Sequence, residues 1–188
     1  MKRAILTSLL FIAALASLGC VEVTSSSTRV VAEKDLESLA KYREWTLVNP
    51  TPQLMEPAAA ISCFIIPGRH EPSPHLNKYV SVFVNPVARE QMMTRQQPKF
   101  PAGSMIVKEK LGSRDSKMPE LLTAMIKREP GYNPENGDWE YLVLNATASM
   151  IVERGKLTRC SDCHTSYKRS DFVTRTYLPQ TVTSALKP

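Results

Sequence analysis

The chain has 188 residues, a formal charge of +6 and a hydrophobic content of 43%, enough to bury a sizeable core in one domain plus processing segments. It contains no internal repeat and no low-complexity tract, which sets aside repeat and disordered classes. Its basic residues form no aromatic-interleaved patch, so nucleic acid is not an expected partner.

Residues 1–20 read as a secretory signal: Lys2 and Arg3 precede an apolar run from Ala4 to Leu18 that is too short for a confident membrane span. The run ends Ala16-Ser17-Leu18-Gly19-Cys20. Small residues before a cysteine match a bacterial lipobox, which predicts lipidation of Cys20 and a periplasmic, membrane-anchored lipoprotein. Ser17 stands where leucine is usual, and the alternative is cleavage by ordinary signal peptidase near Ala14 to Ala16. Residues 21–32, with Ser25 to Thr28 at their centre, read as a polar tether. The folded domain is expected over residues 33–188.

Within it, Glu33 to Trp45 reads as a helix, with Leu36, Leu39, Ala40 and Trp45 in an approximate stripe. Asn49 to Pro57 is a proline-broken loop, and Ala58 to Ile66 is apolar but undecided between helix and buried strand. Pro67-Gly68 and Pro72-Ser73-Pro74 mark turns. Tyr79 to Val84 is a strand by its β-branched and aromatic content. Pro86 opens a helix that runs to about Arg95. Phe100 to Gly103 is a turn.

Ser104 to Lys110 is the second strand. Alternation puts Met105, Val107 and Glu109 on one face and Ile106, Lys108 and Lys110 on the other. Strand lysines are commonly exposed, so the pattern alone leaves Lys108 unremarkable. Leu121 to Arg128 is a third strand, Tyr132 to Gly137 is turn-rich, Asp138 to Asn145 is a fourth strand and Ser149 to Val152 a short fifth. Strands in succession with short links predict an antiparallel sheet of about five strands with flanking helices, an α+β class.

Cys160-Ser161-Asp162-Cys163-His164 follows the sheet. Two thiols three positions apart, followed at once by a histidine, form the attachment signature of haem c. Each sulfur adds to one vinyl group, a short turn brings both to one edge of the ring, and the adjacent His164 reaches the iron as axial ligand. A thioredoxin-like motif needs a βαβ context that this chain lacks. A structural zinc needs a second ligand pair, and Cys63, His70 and His75 do not form one. A plain disulfide is the bland alternative. Export fits the haem reading, because c-type attachment in bacteria occurs outside the cytoplasm. Cys63 is then left over and reads as a small buried apolar residue. Arg154, Lys156, Arg159, Lys168 and Arg169 flank the motif and could steer an acidic redox partner or an anionic substrate; a solvated face explains them equally.

Several blocks together resemble the cytochrome P-460 family: Tyr42 to Trp45, Tyr79 to Pro86, Phe100 to Glu109, Gly137 to Tyr141, Cys160 to His164 and Asp171 to Tyr177. The resemblance implies a periplasmic c-type haem protein on an antiparallel sheet, with Lys108 covalently bonded to the porphyrin and an open iron position opposite His164. Hydroxylamine oxidation with electrons passed to a periplasmic redox partner is the implied activity, and homodimers paired through the sheet are common among members. Hydroxylamine-oxidising members carry a pocket carboxylate on the strand after the lysine strand, where ungapped counting puts Thr123 instead. Threonine cannot serve as that general base; Glu109 and Glu120 are the nearby substitutes. A non-enzymatic binder of nitric oxide or a similar gas is therefore the second reading. A simple electron carrier is the third. It needs a sixth ligand from Met92, Met93, Met105, Met118, Met125, Met150, His70 or His75. An exposed loop position after Pro74 is the alternative for His75.

Overall fold

The computed structural model describes residues 21–55 and 75–188. The expected signal, Cys20, Cys63, His70 and the Ala58 to Ile66 segment lie outside the described residues. The chain divides into two units, residues 1–34 and 35–188. The described part of the first belongs to helix α1 (Val21–Ala40), which starts before the expected Glu33 and ends before Trp45. Tyr42–Glu44 is instead a separate short 3-10 turn. Among the described residues no helix is long and apolar enough to cross a membrane.

The second unit is built on one antiparallel sheet. Its strands are β1 (Thr46–Leu47), β2 (Gln53–Leu54), β3 (Tyr79–Val84), β4 (Met105–Leu111), β5 (Leu121–Lys127), β6 (Trp139–Asn145) and β7 (Ile151–Gly155). From β3 to β7 they form a meander, each strand pairing with the next, while β1 and β2 both pair with β3. The α+β class holds. The five expected strands are present with ends moved by a few residues, and the two additions are two-residue strands. Between β3 and β4 lies helix α2 (Pro86–Thr94). Its start is set by Asn85, whose Oδ1 accepts from Ala88 N and Met105 N, both at 3.0 Å. One side chain thus caps the helix and fixes where β4 begins.

Period-two alternation sorts the sheet into two faces. One carries Val82, Val84, Ile106, Met125, Trp139 and Tyr141, packed with Ala88 and Met92 of α2 and with Phe172, Val173 and Tyr177 from the C-terminal segment. The other carries Phe83, Val107, Leu122, Ala124, Ile126, Leu142 and Leu144 under Leu39 and Tyr42. After β7 the chain turns into helix α3 (Thr158–His164), continues through a 3-10 segment to Ser170 and ends with helix α4 (Gln180–Thr183). This return lays the Cys160 to His164 segment on the first face.

Candidate functional site

The central strand β4 supplies the site's unusual chemistry. Lys108 and Lys110 share the first face, as alternation predicts, but neither is exposed: their relative exposures are 5% and 0%. The expectation of ordinary solvent-facing lysines fails because C-terminal segments cover that face. Lys108 lies opposite Val82 of β3 and Thr123 of β5. Its Nζ sits 5.0 Å from the centre of the Tyr177 ring, a cation–π distance. Burial pushes the Lys108 amine down to about 7. Burial also holds Lys110 well below the ordinary lysine range; Lys108 adds to this and Cys160 opposes it.

A cavity of about 30 Å³ lies beside Lys108, and Thr123, Met125, Tyr141, Cys160, His164 and His75 also line it. The structure therefore brings Lys108, Thr123, Cys160 and His164 together from β4, β5 and α3. Cys163 lies on α3 but does not line the cavity; it is disulfide-bonded here, whereas Cys160 is a thiol. His75 lines the cavity as well, so its reading as an exposed loop residue is corrected. Burial, followed by the charges of Lys110, Lys108 and His164, pushes it well below the ordinary histidine range.

His164 closes α3 with its ring buried. Its Nδ1–H donates to the Phe172 carbonyl oxygen at 2.6 Å. A carbonyl only accepts, so the proton sits on Nδ1 and leaves Nε2 with a lone pair, the form a metal ligand requires. Burial first, then Lys108, push His164 down to about 3, with the Phe172 carbonyl acting the other way. The imidazole is neutral at physiological pH.

Neither carboxylate considered as a substitute base reaches this cavity. Glu109 points to the opposite face, where its Oε1 accepts from Tyr42 OH at 2.6 Å and Arg43 Nε at 2.9 Å. Glu120 is exposed and pairs with Lys78. Among the methionines, Met92 is in the core, Met93 and Met105 pack against the two cores, and Met118 and Met150 are exposed. Met125 is the methionine that lines the cavity. Arg154, open in the sequence between a steering charge and a solvated face, instead joins Arg128 in a largely buried cluster with Asp35 and Glu140. Arg159 pairs with Glu153.

The family model described as Cytochrome P460 matches residues 39–175. The chain belongs to the cytochrome P460 family. Proteins of this family carry a c-type haem with iron, cross-linked through lysine. A comparison with curated proteins finds no match.

The side chains around the cavity fit such a group. Lys110 Nζ, Tyr141 OH and Tyr177 OH are buried without a hydrogen-bond partner. Orphaned polar atoms are rare in native interiors, and these three among the described residues, two on the first sheet face and one in the segment packed over it, mark a place where a further polar group belongs. An Nε2 lone pair, a thiol and a buried amine are the donors that haem c with a lysine link requires. The void itself holds about one water, so a porphyrin enters only as these side chains part. Cys163 must likewise be reduced before its sulfur can form a thioether. Sequence reasoning missed Lys110, Tyr141 and the Phe172 carbonyl. For Lys110 the signal was present: it lies two positions from Lys108 on the same strand face.

Proposed function

We propose that this member of the cytochrome P460 family oxidises hydroxylamine or a similar small nitrogen compound and passes the electrons to an external periplasmic acceptor. The observation that carries this reading is the single cavity shared by His164, Cys160, Lys108 and Thr123. Two chain elements far apart in sequence, β4 and α3, deliver an axial ligand, a thioether sulfur and a buried amine to one place. Bound haem supplies an iron that takes electrons from a small ligand and hands them on. Cys160 and Cys163 hold the group by thioethers, and His164 ligates through Nε2. Lys108, lowered to about 7 by burial, is partly neutral at physiological pH and would present an amine lone pair to the ring. Proton removal from the substrate falls to water or to a neutral nitrogen base, because no carboxylate lines the cavity among the described residues. Thr123 can orient the substrate by accepting and donating hydrogen bonds, but cannot hold its proton.

That same lack of a carboxylate favours one second reading, a gas-binding cytochrome for nitric oxide that does no chemistry. The electron-carrier reading narrows to Met125 or His75 as sixth ligand among the described residues. Export by residues 1–20, with lipidation at Cys20, completes the proposal and rests on the sequence pattern alone.

The deciding experiment uses haem-loaded protein made with intact c-type maturation. Hydroxylamine turnover with an artificial electron acceptor is expected. Ligand binding without turnover replaces the oxidase with the gas binder. A low-spin, six-coordinate oxidised spectrum replaces both with the carrier. Peptide mapping should recover a haem peptide carrying both the Cys160 to His164 and the Lys108 segments.

A further inference from the structure

Within the Asp171 to Tyr177 block, Phe172 and Tyr177 already face His164 and Lys108, but Asp171 has no role so far, and it opens the strained corner next to His164. Asp171 and Phe172 are consecutive non-glycine residues at φ 53° and 63°. Left-handed backbone is costly for such residues and persists only where the surroundings over-determine it. The corner's product is the position of the Phe172 carbonyl, which accepts the His164 Nδ1–H at 2.6 Å.

Asp171 is what over-determines it. Both carboxylate oxygens accept from Lys127 Nζ at 2.8 Å. Oδ2 also accepts from Phe100 N at 2.8 Å, and the Asp171 carbonyl accepts from Trp139 Nε1 at 2.7 Å. The charged pair is largely buried, with side-chain exposures of 13% and 7%. Phe172 is held from below: its ring lies so close to Gly137 that a Cβ there would come within 2.6 Å of a ring carbon. Lys127 of β5 and the Phe100 N–H, through the Asp171 carboxylate, and Trp139 of β6, through the Asp171 carbonyl, therefore dictate where the backbone acceptor of His164 lies.

We propose that Asp171, clamped by Lys127, is the positioning residue for His164, setting the short hydrogen bond that makes its Nε2 a strong donor to iron. The inference rests on the reading of His164 as axial ligand. A strong bond at Nδ1–H gives the ring imidazolate character and favours the oxidised metal. Releasing the corner weakens that bond and tips the balance toward the reduced form.

The test compares haem-loaded wild type with Asp171→Asn, Lys127→Gln and Lys127→Arg. Two readouts are needed: the iron–histidine stretching frequency of the reduced protein, and its midpoint potential. Asp171→Asn and Lys127→Gln should lower the frequency and raise the potential together, and Lys127→Arg should restore both toward wild type. Haem-loaded Asp171→Asn or Lys127→Gln with both values unchanged overturns the proposal. Failure of both variants to fold also overturns it, because the pair would then be a determinant of the fold alone. Haem-free wild type, by contrast, strikes the axial-ligand reading itself and is seen before any variant is made.

Discussion

The two faces of the sheet handle buried charge in opposite ways, and β4 runs between them. On one face Glu109 is answered by Tyr42 and Arg43, and Asp35 and Glu140 are answered by Arg128 and Arg154. On the other, Lys108 and Lys110 are buried with no carboxylate paired to them among the described residues, where Lys110 Nζ also has no hydrogen-bond partner. Paired charges on the face away from the cavity tie Asp35 and Tyr42 to the sheet. Unanswered ones destabilise the chain as it stands and are tolerated where a further group completes the site.

The contrast is broken most severely on the paired face. Glu140→Ala leaves Arg128 and Arg154 with only Asp35 between them, and removing one member of a buried ion cluster costs about 3–5 kcal/mol. Denaturant unfolding should show a midpoint lowered accordingly, with an unchanged slope. On the cavity face the sign reverses. Lys110→Met removes an unsatisfied buried amine and keeps an apolar chain of similar length. In haem-free protein it should stabilise by about 1–3 kcal/mol, read by the same unfolding curves. A loss of stability there would mean that Lys110 already has an answering group.

The faces should also separate by pH. Lys108 is pushed down from 10.5 to about 7 when folded. Between those values the unfolded chain binds the extra proton, so stability rises with pH across that window. Below pH 7 both states are protonated at this group, and its full penalty remains. Haem-free protein should therefore gain stability between pH 7 and 10, and Lys108→Met should flatten that part of the curve. Thermal melts across the range check both statements.

These contrasts explain what the sequence made legible. The facing of Lys108 followed from alternation, because a strand's period is local information, whereas the place of Thr123 came from the family resemblance. The burial of Lys108 did not follow, because it depends on a segment more than fifty residues downstream folding back over the sheet. The pairing of Arg154 was hidden for the same reason: its partner Asp35 is 119 residues away, and nothing beside Arg154 announces it. Strands β1 and β2 are two residues each, too short to leave a period. The Phe172 carbonyl is a backbone group, and no side-chain identity encodes its aim at His164.

The smallest effect tests whether the paired face is redundant as well as satisfied. Tyr42 OH and Arg43 Nε donate to the same Glu109 oxygen, at 2.6 and 2.9 Å, and Arg43 Nε also reaches the Tyr42 oxygen at 3.0 Å. Tyr42→Phe deletes one donor but leaves the ring against Phe83, 5.2 Å away in an edge-on contact, and leaves the guanidinium on the carboxylate. A lost hydrogen bond with the charge still answered should cost only about 0.5–1.5 kcal/mol by unfolding. A cost as large as that of Glu140→Ala would mean that the half-exposed Arg43 gives Glu109 little help, and that the phenol alone holds this buried carboxylate.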